Sequence, residues 1–349
     1  MIYVKGDKML KELLKERNLP ELKTREDMLE ILLEEEYGHL PPKPEKTDWE
    51  VKEKVIPNFC AGKAIAYKII AKLTVCGKEF SFPFYATIPT ENKKYPFFIH
   101  INFRDNVPDR YMPTEELVDN GFAILSFCYE DVTKDNYDFT DGLSGVLFDN
   151  GNRKPNDPGK IAMWAWAAHR VMDYAQTLGD VLDLERSIVC GHSRLGKTAL
   201  LTAATDDRFK FAYSNDSGCS GAAITRQKGG ENIEKICNKF GYWFCENYYK
   251  YVNNENKLPF DQHYLVSSIA PRFVCIGSAS EDLWADPISE MLNCIASSSA
   301  FTNGFIYEDR LPEIGDAFFD GDIGYHLRKG LHYFSRADWL MLIEFVNKH

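Results

Sequence analysis

The stretch Ser-Ile-Val-Cys-Gly-His-Ser-Arg-Leu-Gly-Lys-Thr-Ala-Leu-Leu, residues 187–201, decides the fold. Residues 188–190 are apolar and partly β-branched, which predicts a short buried strand. Two glycines then bracket a tight turn, and residues 198–204 predict a helix that packs small side chains against a sheet. Ser193 lies at the corner between this strand and this helix. The sequence therefore predicts that the Ser193 hydroxyl projects from the sheet at the N-terminus of a helix.

A serine at such a strand–turn–helix corner is the nucleophile elbow of α/β-hydrolases. The backbone N–H after the serine can stabilise an oxyanion, and the helix dipole adds to that effect. The common pattern is Gly-x-Ser-x-Gly, whereas here the second glycine, Gly196, comes one residue late. Arg194 and Lys197 also place cations in the first helical turn, where each is disfavoured by about 0.3–1 kcal/mol. We therefore expect an anionic or oxygen-rich substrate beside Ser193.

Composition and charge restrict the possible classes of protein. The chain has 349 residues, of which 44% are hydrophobic and 27% charged, with a net charge of −11. This excess of negative charge argues against broad binding to nucleic acid or to an anionic membrane. Nine scattered cysteines indicate free thiols in a reducing compartment. The N-terminus shows no apolar signal core, so we expect a cytoplasmic protein, or a secreted one if a leader has been removed.

Strands that alternate with helices along the chain predict a mostly parallel, doubly wound sheet with helices on both faces, the α/β-hydrolase fold. Residues 1–45 are predicted to form a helical N-terminal appendage. Residues 46–349 are predicted to form the catalytic domain, with an insert near 222–262. Residues 321–334 have a loop-like composition, and residues 336–348 predict an amphipathic closing helix.

The catalytic base should lie late in the chain, because an α/β-hydrolase triad runs Ser, acid, His. His332 shortly precedes the last helix, and we expect it to be the base. His326 lies in the same late segment and is expected to be structural. His192 neighbours the serine in sequence and is expected to be packed rather than catalytic.

Two aspartates compete for the role of the triad acid. Asp282 follows the strand that ends near residue 276, and Asp216 follows the strand before it. Either could orient the imidazole and stabilise the imidazolium; we favour Asp282 and leave Asp216 open. Asp286, before a proline, is predicted to be a helix N-cap. The cysteines lack metal-ligand spacing, and no phosphate or dinucleotide motif is present, so we expect no metal and no cofactor.

Four segments together resemble the glucuronoyl esterases of carbohydrate esterase family 15, in its bacterial branch. They are Gly-His-Ser-Arg-Leu-Gly-Lys (191–197), Ser-Asn-Asp-Ser-Gly-Cys-Ser-Gly (214–221), Ser-Glu-Asp-Leu-Trp-Ala-Asp-Pro (280–287) and Gly-Tyr-His-Leu-Arg-Lys-Gly-Leu-His (324–332). The resemblance extends over roughly residues 95 to 345. It implies hydrolysis of esters between glucuronic acid, often 4-O-methylated, and alcohols of lignin.

The resemblance also implies roles for individual residues. Ser193 corresponds to the nucleophile, His332 to the base, and Arg194 to an arginine that stabilises the oxyanion. The implied sugar contacts are Lys197, Glu231 and Trp284. Members of the family carry the acid at either of the two positions above. The chain departs from the family in having Gly-Leu-His for the usual Gly-Gly-His, and an aspartate at 216 where fungal members have a glutamate.

We therefore expect a serine carbohydrate esterase that acts through an acyl-enzyme on uronic acid esters and has no cofactor. The alternative is an acetyl-xylan-type esterase on the same fold, which gives Lys197 no evident role. From another class, a catalytically silent sugar-binding relative would lack a functional Ser193–His332 pair. The expected partner is a carbohydrate ester, with no nucleic acid and no membrane.

Overall fold

The computed structural model describes residues 9–54, 56–109 and 111–349. Within these ranges ten strands form one sheet in the order β1-β2-β3-β5-β4-β6-β7-β8-β10-β9. The strands are β1 Lys46–Lys54, β2 Ala64–Val75, β3 Lys78–Pro89, β4 Tyr95–Asn102, β5 Ala123–Cys128, β6 Leu182–His192, β7 Phe211–Asn215, β8 Phe273–Ala279, β9 Ala317–Phe318 and β10 Ile323–Arg328. Six neighbouring strands pair in parallel, in the order β5-β4-β6-β7-β8-β10. The strands β1, β2 and β3 form an antiparallel extension beside β5.

Helices cover both faces of the sheet. They are α1 Leu10–Glu16, α2 Arg25–Leu32, α3 Thr114–Asp119, α4 Gly142–Leu147, α5 Lys160–Thr177, α6 Arg194–Thr205, α7 Ile233–Phe240, α8 His263–Ser267, α9 Pro287–Ser297 and α10 Arg336–Lys348. One core cluster includes Trp164 of α5 and Leu200 of α6, and a second includes Leu117 of α3 and Trp339 of α10. Two cores separated by a parallel sheet are the doubly wound arrangement that the alternation of elements predicts, so that prediction is confirmed.

Most of the predicted elements near the elbow are present, with longer bounds. The strand predicted at 188–190 extends over all of β6, and its helix begins at Arg194, directly after the serine. The Asp286 side chain accepts a hydrogen bond from the Ser289 N–H, which confirms the predicted N-cap of α9. The closing helix α10 also has the predicted bounds.

The prediction of a loop over 321–334 is wrong for residues 323–328. These residues form β10, a fully buried strand that pairs in parallel with β8. Gly324, His326 and Arg328 interrupt the apolar run of this strand, which hides the usual signal of a buried parallel strand. The late loop is therefore short, and it starts at the carboxyl edge of the sheet, beside the end of β8.

The N-terminal segment packs on the insert and on the turn that directly precedes it. The Arg17 guanidinium donates to the carbonyl of Arg226, and the Tyr37 hydroxyl donates to the carbonyl of Ser220. A one-turn π-helix, Leu33–Tyr37, continues α2 toward this contact. The division at residue 45 stays a prediction, and residues 1–8 of the predicted appendage lie outside the described residues. In the part of the chain that the structure describes, no helix combines the length and apolarity that crossing a membrane requires.

Candidate active site

The elbow holds Ser193 in a strained backbone conformation. Its φ is 58° and its ψ is −126°, a region that costs a non-glycine residue about 1–3 kcal/mol. The Ser193 N–H donates to the carbonyl of Asn215, at the end of β7, over 2.8 Å. Close packing explains the glycine at position 196, because a Cβ there would lie only 2.9 Å from Ser214 Oγ and 3.0 Å from Ser217 Cβ. The shifted glycine spacing thus lets α6 pack closely against the turn that follows β7.

His332 is hydrogen-bonded to Asp282. Its Nδ1 lies 2.6 Å from Asp282 Oδ2, and its side chain is 41% exposed whereas that of Asp282 is 3% exposed. Burial acts to raise the pKa of the Asp282 carboxyl, but the hydrogen bond and charge of His332 outweigh it, so the pKa is below its usual range. An ionised carboxylate only accepts hydrogen bonds, which places the proton on Nδ1 and leaves Nε2 available as a base.

Asp216, the other candidate acid, is paired with Arg328 instead. Its Oδ2 lies 3.2 Å from the Arg328 Nη2, and the Arg328 Nε donates to Asp338 over 2.6 Å. The same guanidinium donates to the carbonyls of Leu331 and Tyr333, the two neighbours of His332 in the chain. Burial, with the charges of nearby carboxylates, raises the pKa of Asp216 well above its usual range. Arg328 therefore joins Asp216 to the loop that carries His332.

Asp216, Asp282 and His332 offer ligand atoms that all lie within 4.8 Å of one another. Such a group of three could bind a metal ion in principle. The His332–Asp282 separation, however, is that of a direct hydrogen bond, whereas two ligands of a tetrahedral zinc lie about 3 Å or more apart. The contacts fit a base and its orienting acid better than a metal site.

The predicted residues line one cavity of about 200 Å³. Its lining includes Ser193, Arg194, Lys197, Asp216, Glu231, Trp284 and His332, but not the side chain of Asp282, which lies behind His332. Among the hydrogen bonds of the described residues, none joins Ser193 to the His332 ring. Catalytic hydrogen bonds are often long in the free enzyme and shorten when substrate binds.

Arg194 is held by a carboxylate, Asp135, that none of the sequence motifs indicates. Its guanidinium forms an ion pair with Asp135 and lies 4.7 Å from the centroid of the Trp243 ring. The Trp243 indole N–H donates to the same carboxylate over 2.7 Å. The buried Arg194 Nε has no hydrogen-bond partner among the residues that the structure describes. Asp135 lies in the stretch 131–157, and the high aspartate content of that stretch is the one signal in the sequence that points to it.

Lys197 is bound by three acceptors. Its ammonium donates to the carbonyls of Ser217 and Cys219 and to Glu231 Oε2, the last over 3.2 Å. The exposed Trp284 donates to the other oxygen of Glu231 over 3.0 Å. Because an ammonium has three donors, Lys197 is saturated and holds Glu231 at the cavity wall. The two cations at the start of α6 thus each have a carboxylate partner, and direct contact of Lys197 with a sugar stays a prediction.

The other histidines near the elbow have partners of their own. His192 Nδ1 lies 2.8 Å from Asn215 Oδ1, and the His192 ring centroid is 4.4 Å from that of His332. Burial lowers the pKa of His192 to about 3, so this ring is neutral beside the candidate base. His326 is buried in β10, where its Nε2 lies 2.9 Å from the Tyr213 hydroxyl.

The sheet, the elbow and the late histidine define an α/β-hydrolase. The family model described as "Glucuronyl esterase, fungi" matches residues 71–303. The chain therefore belongs to the glucuronoyl esterase family, which confirms the resemblance drawn from its motifs.

Relatives of known name agree with this assignment. The chain is 37% identical over 240 residues to carbohydrate esterase MZ0003 of an unknown prokaryotic organism, covering 67% of this chain and 55% of that protein. It is 27% identical over 281 residues to a 4-O-methyl-glucuronoyl methylesterase of Podospora anserina, covering 75% of this chain and 52% of that protein. The chain thus spans about half the length of these curated relatives.

Solved structures match over nearly the whole chain. A glucuronoyl esterase from Solibacter usitatus is 30% identical with a TM-score of 0.83, covering 93% of this chain and 92% of that one. A promiscuous CE15 esterase from the marine bacterial metagenome is 28% identical with a TM-score of 0.82, covering 94% of this chain and 91% of that one. The predicted α/β-hydrolase fold is confirmed.

Proposed function

We propose that this protein is a serine carboxylic-ester hydrolase that cleaves glucuronic acid esters, including 4-O-methyl-glucuronoyl esters, through an acyl-enzyme. The observation that carries the proposal is the His332–Asp282 hydrogen bond at a cavity that also contains Ser193 and the Lys197–Glu231–Trp284 cluster. The names of the relatives given above support the choice of ester.

In the first half-reaction, Ser193 Oγ attacks the ester carbonyl while His332 Nε2 accepts its proton. Asp282 keeps the proton on His332 Nδ1 and stabilises the imidazolium, a role for which its lowered pKa suits it. The Arg194 backbone N–H, at the first position of α6, and the Arg194 guanidinium stabilise the developing oxyanion. His332 then returns the proton to the departing alcohol.

In the second half-reaction, His332 activates a water molecule, which releases the uronic acid and restores Ser193. Glu231 and the exposed face of Trp284 bind the sugar, since carboxylates accept hydrogen bonds from hydroxyls and aromatic faces pack on sugar rings. Lys197 and Asp135 act as positioning residues for Glu231 and for Arg194, respectively.

The test compares methyl and benzyl glucuronate with acetylated xylan and nitrophenyl acetate. We expect turnover of the glucuronate esters at a kcat/KM well above that for the acetates, and loss of this turnover in Ser193→Ala. A matched galacturonate ester, which differs at one hydroxyl, measures recognition of the sugar. Cleavage of the acetates alone would overturn the proposal in favour of the acetyl-xylan-type alternative.

A further inference from the structure

A larger cavity lies behind one wall of the candidate active site. Its volume is about 520 Å³, against about 200 Å³ for the cavity that contains Ser193. The wall is the segment 240–244, at the end of α7. Residues 240 and 243 line the Ser193 cavity, whereas residues 241, 242 and 244 line the larger one. The segment therefore separates two cavities, and we call the larger one the Tyr249 cavity after its exposed tyrosine.

Tyrosine rings form much of the lining of the Tyr249 cavity. Tyr137 is 57% exposed and Tyr249 is 43% exposed. The Tyr137 ring meets the buried Tyr242 ring edge to face, with the two centroids 4.6 Å apart. A Cβ at Gly241 would overlap the Tyr249 hydroxyl, so the glycine in the wall is what lets this tyrosine lie against it. Exposed aromatic side chains gathered in one cavity indicate a surface that a ligand covers.

Two opposite charges line the Tyr249 cavity without pairing. The Arg153 guanidinium lies 3.9 Å from the centroid of the Phe139 ring and donates to the carbonyl of Phe244 over 3.0 Å, so it is held in place. Glu246 is exposed at the same cavity. Within the described residues neither side chain belongs to an ion pair. Arg153 therefore keeps donors, and Glu246 keeps acceptors, for a ligand.

This lining favours one class of ligand. A guanidinium only donates and a carboxylate only accepts, so a ligand that satisfies both must offer acceptors and donors, as hydroxyl groups do. One positive and one negative charge balance each other, which favours a neutral ligand over an ion. The C–H faces of a sugar ring pack on aromatic rings. Because the cavity is more than twice the volume of the Ser193 cavity, it has room for more than one sugar unit.

We propose that the Tyr249 cavity is a second carbohydrate site, which binds a segment of a neutral oligosaccharide. The choice of a sugar rests on the proposed function, because a uronic acid within a polysaccharide reaches the Ser193 cavity with other sugar units attached. The site makes and breaks no bond; it holds a glycan beside the reaction site. Further units of the substrate and a separate glycan chain share this chemistry, and the experiments below distinguish them.

Binding of xylotetraose and cellotetraose, which are both neutral, to the full chain tests the site. Titration followed by ligand-detected NMR should show saturable binding with a Kd below about 10 mM. Tyr249→Ala should raise the Kd roughly three- to ten-fold, the size of one aromatic contact, whereas Tyr249→Phe should restore most of the affinity. Glu246→Ala should raise the Kd by a similar factor, the size of one hydrogen bond.

Two control variants locate the binding. Tyr111→Ala removes a tyrosine that is 51% exposed and lines a different cavity, so it should leave the Kd unchanged. Trp284→Ala removes an expected sugar contact of the Ser193 cavity and should leave most of the oligosaccharide binding intact. Thermal melting identifies a variant that fails to fold, in which case Tyr137→Ala takes the place of Tyr249→Ala. Tetragalacturonate, which carries carboxylates, should bind at least about three-fold more weakly than the neutral probes.

Hydrolysis rates distinguish the two sources of the glycan. The readout is the ratio of kcat/KM for methyl-esterified glucuronoxylan to kcat/KM for methyl glucuronate. If the bound segment belongs to the substrate, Tyr249→Ala should lower this ratio by the same factor that raises the Kd. If the ratio is unchanged while oligosaccharide binding is weakened, a separate chain occupies the site.

Three results would overturn the second site. They are no saturable binding of either neutral probe, tighter binding of tetragalacturonate than of both, and binding that Trp284→Ala abolishes but Tyr249→Ala and Glu246→Ala leave intact. The last result would assign the binding to the Ser193 cavity. The esterase proposal stands in all three cases, since it fails only if no glucuronate ester is hydrolysed.

Discussion

The segments that follow β7 and β8 each carry a buried aspartate near His332, and the two aspartates have different partners. Asp216 follows β7 and Asp282 follows β8, and both carboxylates are buried within reach of His332. Asp282 is hydrogen-bonded to the imidazole, whereas Asp216 is paired with Arg328. The pKa of Asp282 is lowered and that of Asp216 is raised.

This difference has its origin in distant parts of the chain. Arg328 comes from the end of β10 and His332 from the loop after it, so the partners of the two acids lie four positions apart in the chain. The Arg328 guanidinium donates a hydrogen bond to Asp216. It also donates to the carbonyls of the two residues on either side of His332. We infer that Asp282 orients the base, while Asp216 acts through Arg328 to position the loop that carries it.

The largest effect should come from Asp282→Asn. The amide carries no charge that stabilises the imidazolium, and its NH2 group can donate to Nδ1, which favours the wrong tautomer, so kcat should fall by about 10³ to 10⁴. Steady-state rates with methyl glucuronate measure this. Asp286→Asn is the control, because asparagine also caps a helix and should preserve kcat. A loss of less than ten-fold in Asp282→Asn would contradict the assignment.

Arg328→Met should affect stability most. It leaves the buried Asp338 carboxylate without its cation, and breaking a buried ion pair from one side costs about 3–5 kcal/mol. Urea unfolding gives the free energy of unfolding. Arg336→Met, which breaks an exposed ion pair with Glu116, should change that free energy little. Equal effects of the two variants would show that Arg328 does not hold the loop.

Asp216→Asn should lower kcat by less than about ten-fold, because the Asp282–His332 hydrogen bond is retained. The variant is compared with Asp282→Asn at matched protein concentration and below the melting temperature of each. If Asp216→Asn loses as much kcat as Asp282→Asn, both carboxylates act on the imidazole and the contrast between the two strand ends disappears.

The smallest predicted effect is on the pH dependence of stability, and it comes from Glu290, a buried glutamate of α9. It lies between the two strand ends, accepting from the Gly218 N–H over 2.9 Å and from the Ser278 hydroxyl over 2.5 Å, and burial raises its pKa to about 7. A carboxyl whose pKa is higher in the folded state binds more protons folded than unfolded between about pH 4.5 and 7. Its contribution to stability therefore falls as pH rises through that window.

Glu290→Gln removes this titration, so its melting temperature relative to wild type should be higher at pH 8 than at pH 5, by a few degrees. Glu281→Gln, at an exposed glutamate of the β8 loop, is the control and should show no such trend. A relative melting temperature that is constant with pH, or that decreases toward pH 8, would contradict the assigned shift.

The elbow and the helix ends could be predicted because their signals are local. Ser193, its flanking glycines, and the Asp286 cap lie within a few residues of the elements they define. The strand β10 could not be predicted in the same way, since its buried polar residues have distant partners. His326 is paired with Tyr213 of β7, and Arg328 is paired with Asp216, directly after β7, and with Asp338 of α10.

The same limit applies to the site. The motifs predicted which residues surround the cavity, but they could not show that Lys197 is saturated by two carbonyls and Glu231, or that Asp135 holds Arg194. Those partners are 20 to 59 residues away in the chain, and only the folded sheet brings them together.

The central claim is that Ser193 is a nucleophile activated by His332 and Asp282. Labelling with a nitrophenyl phosphonate, followed by intact-mass and peptide analysis, tests it most directly. We expect one adduct per chain at Ser193, no adduct in Ser193→Ala, and much slower labelling in Asp282→Asn than in Asp216→Asn. An adduct on another residue, or a Ser193→Ala variant that still hydrolyses methyl glucuronate, would contradict it.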